Sequence, residues 1–327
     1  MRPLEDDLPR RRPRWGVRRV LVVAACACAA AVLLGAGPPA VPSPYVVVLG
    51  IAQDAGHPQA ECAGECCASA FNDPSSGHSV ASLGIVDPAS GERWLIDATP
   101  DFPRQLRSLN ELVDGRGAPD GILLTHAHVG HYTGLMHLGR EAMGAADAVV
   151  HVMPKMKTYL SGNGPWSQLV RLGNIRLAPM ADGRWVRLNE RVRVRPFVVP
   201  HRDEFSETVG FVVEAGATKV AWLPDIDKWS TWRKPVEELV AEVDVAWIDG
   251  TFFGDGEVRR DMAEIPHPFI VESMQRLGAL SAEARAKVRF VHFNHSNPVL
   301  NDVGPEAEAV RSGGFGLAAE GDRVELR

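Results

Sequence analysis

The chain is 327 residues long with 45% hydrophobic content, enough to bury one large core or two modest ones, which excludes disorder for most of it. Its formal charge is −6 with acids and bases interleaved, so it lacks the basic stripe with which nucleic-acid binders displace counterions, and no nucleic-acid partner is expected. At the start, Arg10, Arg11, Arg12, Arg14, Arg18 and Arg19 precede an uncharged Ala- and Val-rich run over 20–36, then Pro38, Pro39, Pro42 and Pro44. That is the layout of a signal peptide or N-terminal membrane anchor with a Pro-rich spacer over 1–43, and Cys26 and Cys28 belong to it. The positive-inside rule places the rest of the chain outside the cytoplasm: periplasmic, extracellular, or anchored facing outward. Val23-Ala24-Ala25-Cys26 has a lipobox-like order but too short an apolar run before it, and Arg18-Arg19 faintly resembles a twin-arginine signal.

Beyond the spacer no second linker interrupts the pattern, so one catalytic domain is expected over 44–327. Strands are predicted over 45–51, 80–86, 94–96, 121–125, 148–152, 192–199, 209–214, 220–223, 245–248 and 288–293. Helices are predicted after Pro103, Gly134, Pro154, Pro235, Pro268 and Pro305. Strands outnumber helices and arrive in two batches, which suits an α/β sandwich of two sheets with helices on the outer faces.

The strongest chemical signal is Thr125-His126-Ala127-His128-Val129-Gly130-His131, directly after the apolar run Gly121-Ile122-Leu123-Leu124. Two histidines separated by one residue at a strand end point to the same side, and a third, three positions on, turns back as the next helix begins. Three imidazoles converging in one short loop make a metal site. His57, His78, His137 and His151 have no such support and are read as structural or surface residues.

This segment resembles the signature His-x-His-x-Asp-His of the metallo-β-lactamase superfamily. Leu95-Ile96-Asp97-Ala98-Thr99-Pro100-Asp101, Val199-Pro200-His201, Leu223-Pro224-Asp225 and Phe290-Val291-His292-Phe293-Asn294 fall in the superfamily's order. Within it the chain is most similar to the coenzyme PQQ synthesis protein B group, through Gly56-His57-Pro58-Gln59, Ala98-Thr99-Pro100-Asp101, Pro224-Asp225-Ile226-Asp227-Lys228-Trp229 and His292-Phe293-Asn294-His295-Ser296-Asn297-Pro298. The last departs from the group's Asn-Asn-Thr-Asn-Pro run, and together with an export signal this points to a sister branch with another substrate. The resemblance implies an αβ/βα four-layer sandwich of two mixed sheets. It also implies metal ligands His126, His128, His131, His201, Asp225 and His292, with Asp97 buttressing the metal loop, and zinc as the metal, one or two ions, with iron or manganese as alternatives.

Gly130 stands where the superfamily's hydrolases carry the Asp that ligates the second metal. A glycine offers no carboxylate, so either the second site is weak or another group fills the gap. The expectation adopted is one tightly bound metal per chain, with Gly130→Asp supplying the absent ligand. What remains of the second site, His131, His292 and Asp225, is also the donor set of non-haem iron oxygenases. His267, between Pro266 and Pro268, sits where some relatives carry an accessory histidine and is a candidate proton donor; His295 is a candidate for the same pocket. Asp225 is the remaining catalytic candidate. Cys62, Cys66 and Cys67 lie in a polar loop where relatives carry a Cys-x-Cys-x-x-Cys zinc knuckle. Structural zinc, a Cys62 disulfide and free thiols all stay open. Trp166, Trp229 and Trp232 line a pocket or fill the core.

The reading of function is a metal-dependent hydrolase of an ester, phosphodiester or similar small-molecule bond, with metal-bound hydroxide attacking and a histidine assisting the leaving group. The alternatives are an iron-dependent oxidase or hydroxylase and a metal-binding protein without turnover.

Overall fold

The structure, a computed structural model, describes residues 41–327. The arginine-rich start, the apolar run, Cys26 and Cys28 lie outside the described residues. The first half of the chain supplies strands β1 (Tyr45–Gly50), β2 (Ser82–Asp87), β3 (Glu92–Ile96), β4 (Gly121–Leu123), β5 (Ala148–Val152) and β6 (Ile175–Pro179). Its helices are α1 (Glu65–Asn72), α2 (Phe102–Glu111), α3 (Val129–Tyr132), α4 (Pro154–Gly162) and α5 (Trp166–Arg171). The second half supplies β7 (Val186–Arg187), β8 (Val192–Val199), β9 (Thr208–Ala215), β10 (Thr218–Leu223), β11 (Val245–Asp249), β12 (Val288–Val291) and β13 (Gly316–Leu317), with α6 (Val236–Glu242), α7 (Ile270–Leu277), α8 (Ala282–Arg285) and α9 (Pro305–Ser312). The last strand, β14 (Arg323–Glu325), returns to pair with β1.

Two seven-stranded mixed sheets result, ordered β14-β1-β2-β3-β4-β5-β6 and β13-β12-β11-β10-β9-β8-β7. In the first, pairing is antiparallel from β14 to β3 and parallel from β3 to β6. In the second it is antiparallel from β7 to β10 and parallel from β10 to β13. Strand periodicity explains the layering. In β1, Val46 and Val48 enter the core that also holds Phe211, Val213, Trp222 and Trp247 of the second sheet. Tyr45, Val47 and Leu49 point the other way, into a layer with Phe102, Leu106 and Leu109 of α2, an i, i+4, i+7 stripe. Each fully buried aliphatic side chain contributes about 1.5–3 kcal/mol, so a one-residue slip of β1 would cost several such terms at once.

The predicted strands are all present, but β4 stops at Leu123 and β12 at Val291, short of the predicted ends. The helix expected after Gly134 is instead the single turn α3 followed by a 3-10 segment, Thr133–Leu138. A Cβ at Gly134 would sit 2.2 Å from the Thr99 carbonyl oxygen, so the chain is pressed onto the loop after β3 rather than free to wind on. The cysteine loop is not all loop, because Cys66 and Cys67 open α1. Among the described residues no helix is long and apolar enough to cross a membrane.

Candidate metal centre

The carboxyl ends of the parallel strands meet at the rim between the sheets, and the loops leaving them carry the polar side chains. Asp97 follows β3 in a left-handed backbone (φ +67), and His292 follows β12 in the same region (φ +70). Such conformations cost on the order of 1–3 kcal/mol for a residue with a side chain and persist only when the surroundings hold them. Asp97 is fully buried and accepts from the Thr125 backbone N–H (2.8 Å), the Thr125 hydroxyl (2.9 Å) and His131 Nδ1 (2.7 Å). It therefore splints the loop between β4 and α3 to the end of β3.

The six pocket imidazoles share one design. The nitrogen facing away from the pocket donates to a fixed acceptor: His126 Nδ1 to the Thr125 hydroxyl (3.0 Å), His128 Nε2 to Glu204 (2.9 Å), His131 Nδ1 to Asp97, His201 Nδ1 to Asp227 (3.0 Å), His292 Nδ1 to the Thr251 hydroxyl (3.0 Å) and His267 Nδ1 to Asp249 (2.7 Å). Thr125 and Thr251 pass the bond on to Asp97 and Asp249. Such partners fix the tautomer and leave the other nitrogen's lone pair for a metal.

The inward nitrogens converge, His128 Nδ1 with the Arg202 guanidinium 3.1 Å away and His131 Nε2 with Asp54 Oδ1 at 2.9 Å. His126 Nε2 lies 2.8 Å from His128 Nδ1, and with His201 Nε2 they form one group of three. Asp225 stands between this group and a second one, its Oδ1 3.8 Å from His201 Nε2 and its Oδ2 2.9 Å from His131 Nε2 and 3.2 Å from His292 Nε2. Among the described residues, His201 Nε2, His292 Nε2 and Asp225 Oδ2 are buried without an aligned hydrogen-bond partner. Each such orphan costs about 1–3 kcal/mol unless something binds it. Electrostatics agree. Burial and the neighbouring charge of His131 hold His126 well below the usual histidine range, in the neutral form that ligates. Burial works against charge on His131 too, yet Asp97 and Asp54 hold it well above that range, so this end of the pocket favours a cation. The donor set fits a pair of adjacent divalent ions of the zinc type.

Asp54 was not anticipated. It sits in the turn after β1, and its Oδ1 lies 2.9 Å from His131 Nε2 and 3.4 Å from His292 Nε2. The second group therefore holds two carboxylates and two imidazoles, Asp54, His131, Asp225 and His292, rather than the two-histidine, one-carboxylate set expected. Gly130 leaves no room for the side chain it was expected to lack: a Cβ there would lie 2.4 Å from Asp54 Cα. Gly130→Asp thus cannot simply add a ligand. The one signal in the sequence was the glycine itself, which demanded a carboxylate from elsewhere.

His267 lies at the pocket's edge, its ring centroid 5.3 Å from that of His201. Burial pulls it down, but the Asp249 carboxylate outweighs that and pushes it up to about 9, so it carries a proton at neutral pH. His295 is not in this pocket. The bonds Phe293 N–H to Ile51 O and Gln53 N–H to Phe293 O, both 2.8 Å, lead the chain past the β1 extension. His295 Nδ1 ends 3.4 Å from Cys67 Sγ and 3.6 Å from Cys66 Sγ, and Cys62 Sγ is 3.6 Å from Cys66 Sγ. The three cysteines are unbonded to one another and, with His295, present a four-donor cluster. His57 donates to the Cys66 carbonyl (2.8 Å), and His137 stacks on Phe102. Trp166 packs beside Tyr132, Trp229 is buried with its N–H on Ser273, and Trp232 stacks on Phe197, so these rings belong to the packing.

Comparison with known proteins identifies the family and the fold. The family described as "Beta-lactamase superfamily domain" matches residues 92–293. Coenzyme PQQ synthesis protein B of Xanthomonas axonopodis pv. citri (strain 306) is 24% identical over 306 residues, covering 86% of this chain and 99% of the relative. Zn(2+)-bound PqqB from Methylobacterium extorquens superposes with a TM-score of 0.72 at 22% identity, covering 86% of this chain and all (100%) of that one. A diphosphatase from the PhnP family superposes with a TM-score of 0.60 at 21% identity, covering 86% and 96%.

Proposed function

The chain belongs to the beta-lactamase superfamily, close to the PqqB-like group, and from that premise we propose that it is a two-metal hydrolase of a small anionic ester or phosphodiester. The observation that carries this reading is Asp225, whose two carboxylate oxygens lie between two sets of imidazoles, each imidazole tied at its outer nitrogen. His126, His128 and His201 would hold one ion and His131 and His292 the other, with Asp225 between them; zinc suits the donors. Bound ions there supply Lewis acidity and lower the pKa of a coordinated water toward neutrality.

The chain's own groups then have assignable work. Asp97, Asp227, Glu204 and the two threonines hold the ligand rings in one orientation, which limits reorganisation during the reaction. His267, protonated and backed by Asp249, is placed to give a proton to a departing oxygen. Arg202, whose guanidinium reaches within 3.1 Å of His128 Nδ1, supplies a positive charge at the rim for an anionic substrate, beside the exposed ring of Phe205. Cys62, Cys66, Cys67 and His295 match a tetrahedral structural zinc set, away from the chemistry. The iron-oxygenase alternative rests on the likeness to the PqqB-like group, and the second carboxylate beside His131 and His292 is one more donor than the two-histidine, one-carboxylate set it calls for.

Protein purified without added metal, then loaded with zinc or manganese, is expected to hydrolyse bis(p-nitrophenyl) phosphate or p-nitrophenyl esters, and to lose that activity with chelator or in His126→Ala. A fully loaded protein inert toward both substrate classes would sink the reading. Export, proposed from the arginine-rich start and the run over 20–36, fails if the intact chain is recovered from the soluble cytoplasm of its native host.

A further inference from the structure

We infer that Asp54 is a metal ligand, supplying from the turn after β1 the carboxylate that position 130 does not provide. The inference rests on the two-metal reading of the pocket and names the residue that completes its second half. Three observations carry it.

The two positions exclude each other. A Cβ built on Gly130 would fall 2.4 Å from Asp54 Cα, 2.6 Å from Asp54 Oδ1 and 2.8 Å from Asp54 Cβ. Backbone as well as side chain is in the way, so no rotamer change at Asp54 relieves the overlap. With the backbone of Asp54 this close, position 130 must be glycine, and the carboxylate on that turn lies where a side chain at 130 would have pointed.

The carboxylate is aimed at the second group of donors. Its Oδ1 is 2.9 Å from His131 Nε2 and 3.4 Å from His292 Nε2, and its side chain is 15% exposed. Burying a carboxylate without a partner is costly, and the partners here are the two nitrogens that would face the second ion.

The turn is built to hold that aim. Gln53 N–H bonds to Phe293 O and Phe293 N–H to Ile51 O, both at 2.8 Å, stitching the segment to the residue next to His292. Gly56 N–H then closes the turn on Gln53 O at 2.7 Å, with Gly56 at φ +73, a conformation glycine adopts without steric cost. Asp54 and His292 are thus tied through the backbone of the residues beside them. With Asp54 and Asp225 both charged, a dication at this site is neutralised, which removes the reason to expect a weak second site.

The test is titration of the full chain, freed of metal, with Zn²⁺ and with Co²⁺. Thiolate bands in the near ultraviolet mark Co²⁺ at the cysteine cluster and separate it from ions in the histidine pocket. The wild type is expected to take up two equivalents in the pocket. Asp54→Asn keeps the shape and removes the charge; it should retain one tight pocket equivalent and bind the second on the order of 100-fold more weakly. Gly130→Asp alone should lower the melting temperature of the metal-free protein and gain no ion. Asp54→Gly combined with Gly130→Asp removes the contacts with Asp54 Cβ and Oδ1 but keeps the 2.4 Å approach to its Cα, so it should regain only part of the melting temperature lost in Gly130→Asp and should not regain the second equivalent. Unchanged affinity for two pocket ions in Asp54→Asn would overturn the assignment. So would a Gly130→Asp protein as stable as the wild type. If the metal results come out as expected while no ester or phosphodiester is turned over, the hydrolase reading fails and the Asp54 assignment stands.

Discussion

Asp97 shows how much of the site is decided outside the ligands themselves. It accepts three bonds in a fully buried position, and one of them settles which nitrogen of His131 is free. Asp97→Asn is informative because asparagine tolerates the left-handed backbone that this position needs (φ +67), so the variant isolates the chemistry of the side chain. The amide keeps one oxygen for Thr125 but turns an N–H₂ toward His131 Nδ1, which then must act as acceptor. The proton moves to Nε2, the nitrogen that should ligate. Pocket zinc affinity is expected to fall about 10- to 100-fold, and the metal-free fold to lose roughly 1–3 kcal/mol in urea titration. Wild-type zinc affinity in Asp97→Asn would show that Asp97 does not set the tautomer. At this scale the convergence of His126, His128, His131, His201, Asp225 and His292 was legible, because His201, Asp225 and His292 follow apolar strand runs and the other three crowd the loop and short helix after β4. Asp54 was not, because its partner His131 is 77 positions away and nothing local distinguishes it from a turn aspartate. His295 was misplaced for a related reason: spacing from His292 says nothing about the turn at Phe293 that carries it to the thiols.

Among the elements, strands that read as an apolar or alternating run were predictable, the three-residue β4 included, and β6, β7, β13 and β14 were not. β6 is broken by Arg176 and ends on Pro179 without alternating, β7 and β13 have two residues each, and β14 has three, so no period could declare them. α1 was missed because Glu65-Cys66-Cys67-Ala68-Ser69-Ala70 has only a weak apolar stripe, with Cys67 and Ala70 alone buried. A helix of eight residues is marginal unless something fixes its ends. Here its first turn carries two of the four cluster donors, and the preceding loop carries Cys62. Zinc removal from this cluster is therefore expected to free residues 59–72 before the rest of the chain loosens. Limited proteolysis of His295→Ala, or of wild type with a thiol-competing chelator, should cleave there first, while pocket metal and any hydrolysis fall little in His295→Ala. Equal protease resistance with and without His295 would argue that packing alone holds α1.

For the whole molecule, what matters is that the two halves share the pocket through their loops, besides meeting along the core between the sheets and through the pairing of β14 with β1. The first half brings Asp54, Asp97, His126, His128 and His131; the second brings His201, Asp225, His267 and His292. Ala52 bridges to both Val80 and Phe293, a seam that crosses from one half to the other beside the histidine pocket. Metal binding should therefore stabilise both halves together rather than one loop. An ion that binds only the folded state at a thousand times its dissociation constant adds about 4 kcal/mol, which for a chain of this size is a rise of roughly 10 °C in melting temperature. Calorimetry with chelator and with zinc should show a single transition that moves upward as a unit, and the shift should be largely lost in a His126→Ala, His128→Ala double variant. The cysteine cluster contributes its own part, separable because Cys62→Ser removes it and leaves the pocket intact. Were the transition to split with zinc, with only the portion from the first sheet moving, the pocket would be held by one half alone and the shared role of Asp225 would have to be abandoned.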